Sequence, residues 1–151
     1  WWHAAPPEKL ATDALAVFSA LPTTETDTTG SLAAVDRLRT TLIATSISEV
    51  ARNIVVHVGR GEIILTPLEE PTRFGLLVVA RDEGAGIRDL EGALRAEYSG
   101  RGGLGLGLPG ARRLMDEFAI ESTADGTIVT MRKWRPRDQL AGLREERRRR
   151  G

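Results

Sequence analysis

Glu49 and Asn53 are the first pair of residues in this chain whose types and spacing could support chemistry. They are four positions apart, so they share a face if the segment is helical. The amide oxygen of asparagine suits Mg²⁺ as one hard ligand among waters and phosphates. A neighbouring carboxylate can orient or deprotonate a hydroxyl or a water. A solvated i,i+4 pair is the simpler alternative, and the pair alone leaves both interpretations open.

Asp82, Gly84 and Gly86 form a second group, which ends an apolar segment that reads as a buried strand. A carboxylate at the end of a strand can accept a hydrogen bond from an exocyclic amine, and glycines allow a flat ring to approach the backbone. A plain Asp–Gly turn would use the same residue types.

The third group is a glycine-dense stretch from Ser99 to Gly110, which holds six of the 16 glycines of the chain. Pro109 suits a first helical turn. Apolar residues then follow at helical spacing on one face: Ala111, Leu114, Met115 and Phe118. Free N–H groups at the start of a helix attract anions. Positions 105–110 match G-x-G-x-x-G, but no strand precedes them and a hairpin follows the helix, so a dinucleotide-binding turn is disfavoured.

A long helix should position the first pair, starting at Ser31 as N-cap and ending near His57 before Gly59 and Gly61. An apolar stripe is expected on it at Val35, Leu38 and Leu42, flanked by Ile43, Val50 and Ile54. Towards the C-terminus this stripe continues as Ser46, Glu49, Asn53 and His57. The face therefore turns polar, and this end of the helix is either exposed or directed at a polar ligand.

The remaining elements are predicted from apolar patterning and turn residues. They are a helix over 8–21, a loop over 22–30, strands over 61–66 and 73–80 with a turn-like link over 67–71, a short helix or lid over 88–98, and strands over 119–123 and 127–134 that form a hairpin. Residues 1–7 are interpreted as disordered or introduced by cloning, 8–134 as a single domain, and 135–151 as a charged tail, frayed or disordered.

Composition narrows the class of protein. The chain has 151 residues, a formal net charge of +0, 41% hydrophobic residues and no cysteine. Disulfides and thiolate metal sites are therefore excluded. A neutral chain has no overall electrostatic attraction to nucleic acid or to a membrane, and no apolar run approaches the ~20 residues of a membrane span. These features indicate a globular protein of the cytoplasm, without nucleic-acid or membrane partners.

The order of the three groups resembles that of the GHKL or Bergerat-fold ATPases, the superfamily of gyrase, Hsp90 chaperones, histidine kinases and MutL. Residues 48–53 (SEVARN) look like the N box, 82–87 (DEGAGI) like the first glycine box, and 103–108 (GLGLGL) like the second. The sequences of residues 48–55, 103–110 and 113–118 (RLMDEF) are most similar to those of bacterial anti-sigma-factor kinases and stressosome switch kinases of the RsbT type. The resemblance spans about residues 34–134.

The resemblance implies roles for individual residues. Asn53 would bind Mg²⁺, Asp82 the adenine amino group, and Glu49 would be the general base. The base pocket would be shaped by Gly84, Gly86 and Ile87, with Thr127 near the adenine. The phosphates would be bound by the second glycine box, through Gly103, Leu104, Gly105, Leu106 and Gly107, and Arg101 would meet the γ-phosphate.

The resemblance also implies a fold and a function. The fold would be an α/β (α+β) two-layer sandwich with a mixed, mostly antiparallel sheet covered by helices on one face. The function would be transfer of the ATP γ-phosphate, with Mg²⁺, to a serine or threonine of a STAS-domain antagonist protein. A sigma factor or a PP2C-type phosphatase would be a further partner, and a homodimer is an option. Two alternatives stay open: a nucleotide-dependent binding switch with little catalysis, and the ATPase domain of a histidine kinase.

Overall fold

The computed structural model describes residues 31–95 and 107–137, together with 149 and 151; for 31–36 it describes the backbone alone. The helices are α1 (Ser31–His57), α2 (Leu90–Arg95) and α3 (Gly107–Leu114). The strands are β1 (Glu62–Glu69), β2 (Arg73–Asp82), β3 (Glu117–Thr123) and β4 (Gly126–Pro136). The helix predicted over 8–21, the loop over 22–30 and residues 96–98 of the short helix or lid lie outside the described residues.

The four described strands form one sheet in the order β1-β2-β4-β3, and each neighbouring pair is antiparallel. Helices α1 and α3 pack against each other, and α1 contacts β2 and β4. Buried residues of both helices and of the two central strands form one core, which includes Ile47, Leu76, Ala111 and Met131. The prediction of a two-layer α+β sandwich, with a mostly antiparallel sheet and helices on one face, is confirmed.

The predicted bounds of α1 are confirmed, but the predicted centre of its apolar stripe is wrong. Leu38 is 58% exposed, whereas the residues treated as a flank are buried, namely Ile43, Val50 and Ile54 together with Ile47 and Ala51. Ser46 and Glu49 are buried with them. The helix ends as predicted, because Gly59 adopts a φ of 90° and its N–H donates to the Ile54 carbonyl at 2.8 Å.

The turn-like link predicted over 67–71 is wrong for its first three residues. Strand β1 continues through Pro67, whose Cα lies opposite Leu76, and ends at Glu69. β1 is the outermost of the described strands beside β2, and a strand in that position can hold a proline because one of its edges needs no ladder hydrogen bond. The turn itself occupies residues 70–72.

The helical spacing that continued to Phe118 misplaced that residue. Helix α3 ends at Leu114, and Phe118 lies in β3, where its Cα faces Met131. Asp116 stops the helix: its N–H donates to the Arg132 carbonyl at 3.0 Å, and its carboxylate accepts from the Trp134 N–H at 2.7 Å. These bonds start the pairing of β3 with β4.

The charged tail predicted from residue 135 begins too early. Strand β4 runs to Pro136, and Arg135 is only 3% exposed. Arg137 then donates its N–H to the Thr72 carbonyl at 2.8 Å. The end of the strand was missed because Arg135, which faces inward like Lys133 before it, has a long basic side chain; its aliphatic stem can pack in a protein interior.

Candidate nucleotide site

A cavity of about 470 Å³ lies between α1, α3 and the C-terminal end of β2. This volume is in the range of sites for small organic ligands. Its wall combines aliphatic side chains with a few polar residues from separate parts of the chain. The polar and glycine members of the wall are Asn53, His57, Asp82, Gly86, Gly107 and Thr127, and Ile87 also lines it. Three groups predicted from separate motifs therefore meet at one cavity.

Asp82 lies at the end of β2, where the chain turns away from the sheet. One carboxylate oxygen, Oδ1, accepts the Gly84 N–H at 2.9 Å, which is the local bond of an Asx turn. Gly84 fits there because a Cβ on it would lie 2.5 Å from Val58 Cγ2. The simple Asp–Gly turn and the binding interpretation are thus compatible: the turn uses one oxygen, and the side chain still lines the cavity.

Gly86 needs to be glycine for two independent reasons. Its φ is 74°, in the left-handed region, and a Cβ on it would lie 2.0 Å from the Thr123 carbonyl oxygen. The close approach brings residues 86 and 87 against the end of β3. There the Ile87 N–H donates to Ser122 Oγ at 2.8 Å.

Asp82, Thr127 and Ser122 form a row across three adjacent strands. The Cα of Thr127 is paired with Asp82 on one side and with Ser122 on the other. Thr127 is 8% exposed, and its Oγ1 lies 2.9 Å from Ser122 Oγ. Ser122 was not predicted as a site residue. The hairpin signal could have found it, because the turn residues are 124 and 125, and a two-residue turn there pairs 123 with 126 and 122 with 127.

Asn53 and His57 both line the cavity from the last two turns of α1. They continue the polar stripe that begins with Ser46. This serine is fully buried, and its hydroxyl donates a hydrogen bond to the Leu42 carbonyl at 2.9 Å. Both interpretations left open for this end of the helix hold in part: Asn53 and His57 line the cavity, and His57 is also exposed to solvent. His57 is the last residue of α1, where a cation is favoured by the helix dipole.

Glu49 is 5% exposed and does not line the cavity. Its Oε2 accepts the N–H of Gly107, the first residue of α3, at 2.9 Å. The carboxylate therefore occupies the position at a helix N-terminus that an anion would take. Glu49 is predicted as a general base and Gly107 as a hydrogen-bond donor to the phosphates. In the structure these two residues are hydrogen-bonded to each other.

Helix α3 is held by charged side chains at both ends. Glu49 accepts from its first N–H, while Lys133 Nζ donates to the carbonyl of its last residue, Leu114, at 2.8 Å and to Asp116 Oδ1 at 3.0 Å. An anion at the N-terminus and a cation at the C-terminus are both stabilised by the helix dipole. The side of the cavity formed by Gly107, Leu108 and Pro109 is positioned by this pair of contacts.

Two ionisable groups have shifted pKa values, and neither lines the cavity: Glu117 belongs to a β3–β4 contact, and Arg73 lies at the start of β2. Hydrogen bonds from the Trp134 and Arg132 side chains lower the pKa of the Glu117 carboxyl below its ordinary 4.5. The bond to Glu70 raises the pKa of Arg73, whose guanidinium also stacks on the Trp134 ring, 3.7 Å from its centroid.

Five predicted site residues lie outside the described residues: Arg101, Gly103, Leu104, Gly105 and Leu106. Within residues 31–95 and 107–137, no three His, Cys, Asp or Glu side chains lie together as a metal cluster. In the same part of the chain, no helix is long and apolar enough to span a membrane.

The motifs and the fold define a class of protein, and comparison with known proteins agrees with it. The chain belongs to the family of histidine kinase-like ATPase domains, whose model matches residues 4–133. The predicted membership of the GHKL class is confirmed.

Comparison with individual proteins adds detail to the family assignment. The chain is 44% identical over 93 residues to the serine/threonine-protein kinase RsbT of Bacillus subtilis (strain 168), covering 61% of this chain and 70% of RsbT. It is 32% identical over 97 residues to the anti-sigma F factor of Thermoanaerobacter sp. (strain X514), covering 61% and 68%. A solved histidine kinase domain from Erythrobacter litoralis EL346 superposes with a TM-score of 0.46 at 19% identity, covering 84% of this chain and 62% of that one.

Proposed function

We propose that the protein is an ATP- and Mg²⁺-dependent serine/threonine kinase of a partner-switching module. The observation that carries this proposal is the meeting of Asn53, Asp82, Thr127 and Gly107 around one cavity. Those residues come from the N box, the first glycine box, the β3–β4 hairpin and the start of α3. The identity to RsbT, a serine/threonine-protein kinase by name, supports the reaction class.

ATP fits this cavity by the chemistry of its wall. The aliphatic wall includes Val50, Ile54, Ala80 and Val129, which suit the faces of a purine. Asp82 would accept from the adenine amine, with Gly84, Gly86 and Ile87 forming the adjacent wall. The second glycine box, from Gly103 to Gly107, and Arg101 would contact the phosphates, as the motif predicts.

Asn53 would be the protein's ligand to Mg²⁺, through its amide oxygen. When bound, Mg²⁺ would neutralise charge that develops during phosphoryl transfer. Asn53 lies on the cavity wall one helical turn from Glu49, so its amide oxygen would be the hard ligand that α1 contributes to the ion.

Glu49 would act as the general base on the hydroxyl of the protein substrate. In that step the hydroxyl oxygen bonds to the γ-phosphorus, the bond from that phosphorus to the β–γ bridging oxygen breaks, and ADP leaves. The hydroxyl proton goes to the Glu49 carboxylate. A carboxylate has two oxygens, and the bond to the Gly107 N–H uses Oε2. Oε1 has no hydrogen-bond partner among the described residues, so it can receive a proton while α3 stays capped.

The substrate would be a STAS-domain antagonist protein, and a sigma factor or PP2C-type phosphatase would bind the released kinase. The test is phosphotransfer with γ-radiolabelled ATP, Mg²⁺ and purified STAS-domain candidates. Label on a serine or threonine of the partner is the expected result, and Asp82→Asn should remove it together with nucleotide binding. Nucleotide affinity that is untouched by Asp82→Asn would refute the adenine-site assignment.

One observation favours a second candidate, a nucleotide-dependent binding switch that sequesters a partner with little catalysis. Glu49 is buried, does not line the cavity and is hydrogen-bonded to the first N–H of α3, as expected for a residue whose task is to hold this helix. The relative named anti-sigma F factor makes a sigma factor the natural partner of such a switch. Nucleotide-dependent binding of a partner without label transfer, unchanged in Glu49→Gln, would support the switch over the kinase.

A further inference from the structure

Ser122 connects two parts of the cavity wall without lining the cavity itself. Its hydroxyl oxygen accepts the Ile87 N–H at 2.8 Å and lies 2.9 Å from Thr127 Oγ1. Ile87 and Thr127 both line the cavity, whereas Ser122 lies behind them. One side chain thus controls the position of the loop after Gly86 and the orientation of the Thr127 hydroxyl.

The direction of the Ser122–Thr127 hydrogen bond decides what Thr127 offers to a ligand. A backbone N–H only donates, so the Ile87 amide takes up one lone pair of Ser122 Oγ. Among the described residues, Thr127 Oγ1 is the acceptor within reach of the Ser122 hydroxyl proton. If Ser122 donates to Thr127, the Ser122 proton has a protein acceptor and the Thr127 proton is left for the cavity, which Thr127 lines and Ser122 does not. The reverse direction leaves the Ser122 proton without an acceptor among the described residues and makes Thr127 face the cavity as an acceptor alone.

We infer that Ser122 is a positioning residue that makes Thr127 a hydrogen-bond donor to the nucleobase, and that Ser122 thereby contributes to selection of adenine over guanine. Thr127 is paired directly with Asp82 across the β2–β4 ladder, so an acceptor and a donor stand side by side. Adenine presents the complement, an amine that donates beside ring nitrogens that accept. Guanine presents a carbonyl oxygen in place of the amine, which would face the Asp82 carboxylate.

This inference rests on the proposed nucleotide site, and the experiment separates the two. Isothermal titration compares binding of ADP, GDP and the 1-deaza and 7-deaza analogues of ADP, in which one ring nitrogen beside the amine is a carbon. Wild type should lose about three- to tenfold in affinity for one deaza analogue, the value of one hydrogen bond. In Ser122→Ala that loss should disappear and the preference for ADP over GDP should fall several-fold.

Controls exclude a merely structural role. A loosened loop would weaken all four ligands equally and leave the ratios between them unchanged, which would overturn the inference. Ser122→Thr keeps the hydroxyl in a strand and should restore the wild-type ratios. Thr127→Val should abolish the same discrimination, and adding Ser122→Ala to it should change the ratios no further, because both changes act on one interaction.

The two proposals fail in distinguishable ways. If Asp82→Asn leaves ADP binding unchanged, the adenine-site assignment fails and the inference falls with it. If Asp82→Asn abolishes binding but Ser122→Ala keeps the wild-type ratios among the four ligands, the site stands and the role of Ser122 is refuted. Thermal unfolding of each variant with and without ADP checks that the binding measurements report folded protein.

Discussion

The contact between Glu49 and the Gly107 N–H allows the structural and chemical tasks of Glu49 to be separated. Glu49→Ala removes a buried, charge-assisted hydrogen bond and leaves the amide of Gly107 without its acceptor. Bonds to charged groups contribute about 1.5–3 kcal/mol, and an anion at a partly buried helix N-terminus adds up to about 2 kcal/mol. We therefore expect the free energy of unfolding to fall by roughly 2–4 kcal/mol, since the two terms overlap.

Glu49→Gln should behave differently, because its amide oxygen can still accept the Gly107 N–H while its charge is gone. The expected cost is about 1 kcal/mol, the dipole contribution alone. A glutamine cannot take up a proton from a hydroxyl, so phosphotransfer should fall about 10²- to 10⁴-fold. Ser46→Ala is the matched control: this serine is buried on the same helix, bonds only within α1, and should change stability little.

The assays are urea unfolding followed by circular dichroism, and single-turnover transfer of radiolabel to the partner. Wild-type stability in Glu49→Ala would show that the capping contact contributes nothing, and the argument from burial and dipole would be wrong. Wild-type transfer in Glu49→Gln would remove Glu49 as the base, whatever its effect on stability. The assignment of Glu49 as the general base requires loss of transfer in a glutamine variant that remains folded.

Three further predictions concern the frame of the site. Gly86→Ala should destabilise the fold by more than Gly59→Ala. Both glycines have positive φ, but only at Gly86 would a Cβ meet backbone, 2.0 Å from a carbonyl oxygen. Parallel unfolding titrations measure the difference, and equal losses of stability would contradict it. Lys133→Met keeps the apolar stem but loses both hydrogen bonds of the ammonium, so the free energy of unfolding should fall by about 1–3 kcal/mol. An unchanged unfolding midpoint would mean that the C-terminus of α3 needs no cap. Because the pKa of Glu117 is lowered in the folded state, its carboxylate should stabilise the fold above pH 4.5, its ordinary pKa, and lose this contribution as pH falls through the folded pKa. The unfolding free energies of wild type and Glu117→Gln should therefore converge in acid. A difference that stays constant with pH would refute the ionic origin of this stabilisation.

Much of the site could be predicted from local sequence. The bounds of α1, the turn that follows β2 and the β3–β4 hairpin all follow from signals within a few residues: a serine N-cap, glycines after a helix or strand, and turn residues between two strands. Two bounds shift: β2 ends at Asp82 and not at 80, and Gly126, predicted in the link, begins β4. Because Asn53 and Asp82 are each presented by one such element, their types and positions could be recognised before the elements were assembled.

Local signals failed where a distant partner decided the outcome. The helical spacing that included Phe118 was overridden by Asp116, whose backbone and carboxylate pair with β4. The last two residues of β4, Arg135 and Pro136, were assigned to the tail because Arg135 opens a charge-dense segment, and their place is set by pairing with β2. The stripe on α1 was misassigned at Leu38, since the packing of the sheet and α3 against the helix selects the buried face.

The sequence by itself determined which residue types stand at the ends of the elements, and hence the family and the chemistry available to it. Only the tertiary structure brought Glu49 to the N–H of Gly107, 58 positions away, and Ser122 to Ile87, 35 positions away. No periodicity connects such residues, because their contact depends on how helix and sheet pack. Whether a carboxylate caps a helix or faces a ligand, and whether a threonine donates or accepts, is decided by those neighbours.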